Sequence, residues 1–393
     1  MGIMTTQSPS PASPQSTPGS ATTTAASTSA DSAHLPRYTS SSVRAQIRAI
    51  MTAFGATDSV VDIATDVMHD TDLSGIDSHG ISMLPYYGAG IRDGSLAAGT
   101  EPEVVRDVGA TVVIDGKRGF GHPSGQLGME QAIAKARTFG VGMATVRETN
   151  HYGAAGYYAR LAAEQGLVGM SLCSTRNAYQ TPTGARNPLM GTNPIAFACP
   201  VDGEEPIVVD MATTVVPFNK VKVYELKDQP LPADWVLDSH GRSVRNSAEA
   251  MAGLGAKDGS HGLLPLGGAG VLGGGHKGYA LATMVQLLSA GISEADQPGN
   301  VDGFQSVGYF FLAIDPEVAG AGITPAYAKE LRDTLRGMDP VDPEVPVQVA
   351  GDPEHRERAH RAVHGIPLSD MLLDQIRATC ADFGADLVLE KVT

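Results

Sequence analysis

Apolar residues recur at helical spacing from about residue 43, where Val43, Ile47, Ile50, Met51 and Phe54 follow a run of serines able to cap a first turn. A second helix is predicted from Asp58, a capping residue, along the stripe Val60, Ala64, Val67 and Met68, with Gly75 placed to end it. Asp77-Ser78-His79-Gly80 therefore leaves a helix on a polar turn. The period then changes. Short β-branched runs at Thr111–Ile114, Gly142–Val146, Val168–Leu172, Ile195–Cys199 and Pro206–Val209 predict strands, separated by helical stretches at Gln126–Arg137 and Ala154–Glu164. Gly and Pro crowd Gly253–Gly278, which predicts a loop or insertion ahead of an apolar helix over Tyr279–Ala290. Helices at Ala326–Met338, His355–His364 and Ser369–Phe383, joined by the Pro-rich Pro340–Pro353, close the chain. The pattern is α/β (mixed α+β). It predicts a sheet domain over 111–325 with an insertion at about 253–273, and a helical lobe assembled from 37–110 and 326–393.

Composition narrows the class. At 393 residues the chain is long enough for two domains or for one with a sizeable elaboration. Residues 1–36 are dominated by Ser, Thr, Ala, Pro and Gln, which predicts a disordered tail without a secretory apolar core. Met1, Gly2 and Thr6 match a myristoylation pattern too short to carry weight. With 42% hydrophobic and 18% charged residues and no apolar run long enough to span a membrane, a soluble globular protein is expected. The net charge of -15, with no run of Lys or Arg, argues against nucleic acid as a partner. Cys173, Cys199 and Cys380 are odd in number and widely spread, so neither a disulfide framework nor a zinc site is expected and a reducing cytoplasm fits. No metal is expected.

A nicotinamide enzyme on the Rossmann plan needs a Gly-rich turn directly after a strand and an acidic residue about 20 positions on. Gly268, Gly270 and Gly273 satisfy GxGxxG, but Leu263–Leu266 is a poor strand and the acidic residue is missing, so the match reads as a loop. Four other segments join charged or titratable residues to Gly or Asn in short turns. In the first, His79 beside Ser78 at a helix exit can act as a general acid, or the four residues are simply a capping turn. In the second, Asn150-His151-Tyr152-Gly153-Ala154-Ala155-Gly156, small residues opening a helix can admit a phosphate to free backbone N–H groups; a plain strand-to-helix turn is the alternative. The third pairs Gly191-Thr192-Asn193-Pro194 with Asp210-Met211-Ala212-Thr213-Thr214, where turn chemistry alone would account for the composition. In the fourth, Lys277 follows His276 at a helix N-terminus, against the usual dipole preference, which points to an anion.

Taken in order, DSHG, NHYGAAGYY, GTNPIA, DMAT and GGHKGYALA resemble the malate/L-lactate dehydrogenase family that lacks a Rossmann fold. That family also holds ureidoglycolate and sulfolactate dehydrogenases and reductases of cyclic ketimines. The resemblance runs from about Val43 to Phe383. It implies a non-Rossmann cofactor domain around a largely antiparallel or mixed sheet, a helical lobe from both chain ends, and a homodimer. It implies NAD or NADP as cofactor, with a slight preference for NAD, and a small 2-hydroxy acid/2-oxo acid pair as substrate. His151, Tyr152, Gly153, Ala154, Ala155, Asp210, Met211, Ala212, His276 and Lys277 match cofactor-binding positions. Ser78 and His79 match the residues that relay and donate the proton in the ketimine reductases, whereas the ureidoglycolate branch assigns acid/base work to the histidine matching His151. Both histidines stay as candidates, His79 first.

Two departures bear on the substrate. Many members carry Arg where this chain has Met83, leaving the carboxylate anchor to be found among Arg186 and Lys220; Thr192, Phe218 and Asn219 complete the expected substrate contacts. The ketimine reductases carry Asp where counting from Asp210 places Lys220. A cation there would stabilise an alkoxide and repel a protonated imine, which favours a 2-oxo acid. The resemblance thus implies hydride transfer to a carbonyl carbon, a proton from His79 oriented by Ser78, and Lys220 at the oxyanion. A cyclic ketimine reductase, and a cofactor-binding protein without turnover, are the rival readings.

Overall fold

The computed structural model describes residues 35–226, 228–256, 258–299 and 303–392. The expectation of a tail falls, up to residue 34, outside the described residues. In chain order the elements are β1 (Arg37–Tyr38), α1 (Ser40–Ala53), α2 (Asp58–Leu73), α3 (Leu84–Arg92), β2 (Glu103–Val108), β3 (Thr111–Asp115), α4 (Gly121–Phe139), β4 (Val141–Thr149), α5 (Ala155–Ala163) and β5 (Val168–Cys173). There follow β6 (Ile195–Val201), β7 (Glu204–Met211), α6 (Phe218–Leu226), β8 (Val236–Asp238), α7 (Ser247–Ala256), β9 (His261–Leu263), α8 (Gly275–Gln286), β10 (Val307–Ile314), α9 (Pro316–Ala319), α10 (Thr324–Arg336), α11 (Asp352–His364), β11 (Ile366–Pro367) and α12 (Asp370–Phe383).

The first two helices form where the apolar stripes place them, but their caps lie one residue earlier than the sequence suggested. Thr39 accepts from the Ser42 N–H and Thr57 from the Val60 N–H, so Asp58 instead supplies negative charge to the first turn of α2.

Seven strands form one mixed sheet in the order β2-β3-β4-β10-β5-β6-β7. Strands β3 and β4 run parallel and every other neighbouring pair antiparallel. The central strand, β10, escaped the sequence reading. Its run VGYFFLAI has no polar alternation because both faces are covered. Val307, Tyr309, Phe311 and Ala313 pack with Met129 of α4 and Tyr158 of α5, while Phe310 packs with Leu172 and with Val285 of α8. Truncating a ring buried as fully as that of Phe311 costs about 3–5 kcal/mol. Strand β2 also belongs to the sheet, which therefore begins before residue 111; its mostly exposed side chains gave no alternation to read.

The lobe core joins Val43, Ile47, Met68, Leu84 and Tyr87 to Leu373 and Ile376, and β1 pairs with β11. Both chain ends thus contribute to one lobe, but α10, expected there, packs instead on β6 of the sheet, its Ala328 against Cys199 and Val201. The glycine-rich stretch is more ordered than a loop. It contains the end of α7 and all of β9, which pairs with β8 over a satellite core that includes Val221, Val236, Leu254 and Leu263. All three cysteines are buried and free. Among the described residues no helix is long and apolar enough to cross a membrane.

Candidate active site

The turn that carries Ser78 and His79 is fixed from beneath and from the side. Beneath it, the buried Asp72 carboxylate accepts the Ile81 N–H at 2.8 Å, and a Cβ on Gly80 would lie 1.9 Å from Asp72 Oδ1, so no larger residue fits there. From the side, Arg361 of α11 donates to the Asp72 carbonyl at 2.8 Å, to Glu357 at 2.9 Å and to the Asp77 carboxylate. Asn219, in the first turn of α6, reaches the Ser78 carbonyl at 3.4 Å. Held in this way, Ser78 Oγ stands 2.7 Å from His79 Nδ1. Burial pushes the His79 imidazolium down to about 4, leaving the ring neutral near pH 7.

His151 follows β4, on a turn pinned by Asn150, whose side-chain amide donates to the Arg118 and Gly119 carbonyls at 2.9 and 3.0 Å. Its ring centroid lies 5.2 Å from that of His79. His151 Nδ1 is 2.9 Å from Tyr87 Oη and 3.3 Å from the Gly153 nitrogen. Tyr87 Oη is in turn 3.3 Å from His122 Nε2. Burial lowers His151 far below the ordinary histidine range, with His79 and His122 adding to the effect, and burial takes His122 to about 3. The ring of Tyr152, by contrast, is core. It stacks between Tyr158 and Tyr309 at 4.7 and 4.3 Å, and its hydroxyl meets Ser171 at 3.0 Å.

A cleft of about 420 Å³ is lined by Ile76, Ala154, Gly156, Asp210, Met211 and Arg358 among others; it takes in the residues three positions before His79 and three after His151, but neither histidine lines it. Its chemistry differs from the open helix end that the sequence suggested. The Gly156 N–H is already taken by Asp210 Oδ2 at 2.7 Å, and a Cβ at Gly156 would come within 2.9 Å of that oxygen. Asp210 as a residue stays exposed, but crowding of its carboxyl group, with Glu354 adding repulsion, raises it to about 6. What the cleft offers is an acceptor suited to sugar hydroxyls beside small residues that a flat ligand can approach closely.

The other motifs contact one another, chiefly through the backbone. Thr213 donates to the Thr192 carbonyl from its N–H at 2.9 Å and its hydroxyl at 3.0 Å, and Asn193 donates to the Ala282 carbonyl of α8 at 3.0 Å. Leu266 N–H reaches the Thr213 carbonyl at 2.8 Å, and Gly278 packs on the Leu266 backbone. His276 is half-buried with an unpartnered Nδ1, and Lys277 is exposed on the same first turn. Ala212 joins β7 to this assembly, and Ala155 opens α5 from a buried position.

The expected substrate contacts divide. Phe218 stacks on Tyr179 at 4.9 Å, and Lys220 follows Asn219 in the turn that touches Ser78. Arg186 is exposed on the loop beyond Thr181. Met83 packs against the lobe core, which accounts for an apolar residue at that position. Three residues went unread in the sequence: Tyr87, His122 and Arg176. Crowding raises the Tyr86 hydroxyl and the Arg176 guanidinium beside it opposes that rise; the Tyr86 ring stands edge-on to His151 at 6.2 Å. No spacing signal marks these residues, because long-range packing brings them together.

Residues 38–377 match the malate/L-lactate dehydrogenase family. The chain is 40% identical over 272 residues to a malate dehydrogenase of Pyrococcus abyssi, covering 68% of this chain and 73% of that one. It is 33% identical over 339 residues to a Delta(1)-pyrroline-2-carboxylate/Delta(1)-piperideine-2-carboxylate reductase of Pseudomonas syringae pv. tomato, covering 84% and 92%. The crystal structure of malate dehydrogenase from Entamoeba histolytica superposes with a TM-score of 0.85 at 27% identity, covering 90% of this chain and 99% of that one.

Proposed function

Because this chain belongs to the malate/L-lactate dehydrogenase family, we propose that it transfers hydride between a nicotinamide dinucleotide and a small 2-hydroxy acid/2-oxo acid pair. The observation that carries the reading is the juxtaposition of His79 and His151, ring centroids 5.2 Å apart; a cleft that presents Asp210 and is lined by Ile76 and Ala154 supplies room for the dinucleotide. A bound dinucleotide supplies the hydride; the chain binds, orients and moves protons. Asp210, Gly156 and Ala154 would hold its sugar and linker, and His276 and Lys277, at the start of α8, would contact it as well.

In the oxidative direction neutral His79 takes the hydroxyl proton, with Ser78 fixing its ring, and in the reductive direction it returns that proton. His151 faces the same space. Lys220, one residue beyond the Ser78 contact, places positive charge where an alkoxide develops. Arg176, beside Tyr86, takes the part of carboxylate anchor that Met83 cannot play.

The relative from Pseudomonas syringae acts on cyclic imines by its name, and the same site could be asked to do so. The Lys220 cation favours a carbonyl over a protonated imine. A panel of 2-oxo acids and cyclic ketimines, each with NADH or NADPH and followed by absorbance, tests the proposal. Turnover confined to ketimines, or cofactor binding without turnover, would replace it. Exposed Met284, Leu287 and Ile292 along and just after α8 support a homodimer, and three buried free thiols support a reducing compartment; sedimentation at micromolar concentration tests the former.

A further inference from the structure

Buried polar atoms need partners, and His122, Tyr87 and His151 leave few ways to arrange theirs. The Gly153 N–H can only donate, and the acceptor it meets is His151 Nδ1 at 3.3 Å. That nitrogen therefore carries no proton, and Tyr87 Oη, 2.9 Å away, must donate to it as well. With its single hydrogen committed, the Tyr87 oxygen is left as an acceptor, and the group opposite it at 3.3 Å is His122 Nε2. His122 must then hold its proton on Nε2. An independent observation agrees. His122 Nδ1 is buried without any partner, so a proton there would be an unsatisfied buried donor. His122 also lies in the first turn of α4, where the positive end of the helix opposes an imidazolium. The three rings thus form one directed chain, from His122 Nε2–H to Tyr87 Oη–H to His151 Nδ1.

We propose that His122, acting through Tyr87, holds His151 as a neutral Nε2–H hydrogen-bond donor to the substrate oxygen, leaving proton transfer to His79. This rests on the reading above that both histidines face the substrate. His122 touches no reacting atom and is a positioning residue. Tyr87 lines up the donor ring, since its hydroxyl and the Gly153 N–H together block the one nitrogen at which His151 would otherwise take up a proton.

Nitrogen-15 histidine spectra of the full-length chain test the direction of the chain without any variant or turnover. The expected result from pH 6 to 8 is a His151 ring protonated on Nε2 and bare on Nδ1, and the same tautomer at His122. An Nδ1–H tautomer or an imidazolium at His151 overturns the proposal. In His122→Leu the His151 Nδ1 resonance should move toward that of an unbonded ring nitrogen; an unmoved resonance overturns the role of His122.

Kinetics test the route. His122→Leu and Tyr87→Phe should each lower kcat about tenfold with KM within about twofold, and the double variant should be no slower than Tyr87→Phe alone. A full second loss in the Tyr87→Phe background would show that His122 does not act through Tyr87. His122→Gln, whose amide can still donate to Tyr87, should stay within about threefold of the unaltered chain, which a merely space-filling role for His122 does not predict. Absence of turnover with every 2-oxo acid would reject the proposed function, and the spectra alone would then decide this inference.

Discussion

Arg361 pairs with Asp77 across 284 positions of sequence, bringing α11 onto the turn that presents Ser78 and His79. The guanidinium is almost wholly buried, whereas Asp77 is more than half exposed. One side chain from the end of the chain therefore joins three groups: the Asp72 carbonyl, the Asp77 carboxylate and Glu357. Its fixed planar fork is what allows that division of contacts.

Replacing Arg361 with Leu should accordingly act on both stability and rate. The carboxylates of Asp77 and Glu357 can hydrate once released, but the buried Asp72 carbonyl loses its partner, so a loss of about 1–3 kcal/mol is expected. The turn loosens with it, and kcat should fall about tenfold while KM for the dinucleotide stays within about twofold. Arg361→Lys should recover only part, because an ammonium cannot serve the three acceptors in their present places. Thermal melting and steady-state kinetics on the same preparations measure the two effects, and an unchanged kcat would mean that the turn holds its shape without Arg361.

The low pKa of His79 sets the pH profile. Its folded value of about 4 lies below the ordinary 6.5, so the ring is neutral, and ready as a base, at every pH above about 5. For oxidation of the hydroxy acid, kcat/KM should be flat above pH 5 and fall as the pH drops through 4. For reduction, which needs the protonated ring, kcat/KM should fall as the pH rises above 4. Assays in both directions from pH 3.5 to 9, begun by a rapid pH change, measure this. A limb near 6.5 in the oxidative profile would mean that His79 is solvated, contrary to its burial.

Much of this arrangement was legible in the chain, and what was not shares a cause. Ser78-His79 and His151 stood out because each lies in a short polar turn beside a periodic element, a local signal. Asp210 and Gly156 were read separately; that one caps the other at 2.7 Å depends on β7 and α5 lying side by side. Strand β10 went unseen because burial on both faces removes the alternation by which strands are recognised. Tyr87 and His122 are 35 residues apart and both look like core residues in sequence, which they are. Their polar atoms acquire meaning only once the lobe and the sheet are packed together. The glycine-rich stretch misled in the opposite sense, since composition marked a loop where β9 pairs with β8.

Arg176 and Arg186 are the two candidate anchors proposed for the substrate carboxylate. Arg176 lies beside Tyr86, whose ring stands against His151, whereas Arg186 is exposed on its loop. A charge-assisted pair with the bound acid would be formed in the ground state and the transition state alike, so its loss should appear mainly in KM. Arg176→Gln should raise KM for the 2-oxo acid about 30-fold with kcat within about threefold, while Arg186→Gln should change neither by more than about twofold. The reverse ranking would move the anchor to the outer loop.

Asp210 offers the most direct test of where the dinucleotide lies. Its carboxylate already accepts the Gly156 N–H at 2.7 Å, and Asn at this position keeps an oxygen for that bond while giving up the negative charge and one acceptor. If the remaining acceptor meets sugar hydroxyls, Asp210→Asn should raise the Kd for the dinucleotide about tenfold and leave melting within about 2 °C. Gly156→Ala is the matching steric variant, since its new methyl group would lie 2.9 Å from Asp210 Oδ2 and push the carboxylate from its place. Both should weaken binding of NADH, measured by fluorescence titration without any substrate. Because His79 lies on the DSHG turn rather than on β7 or α5, kcat at saturating dinucleotide should change less than affinity. Unaltered affinity in both variants would place the dinucleotide elsewhere and leave the cleft beside Ile76 and Met211 without its assigned occupant.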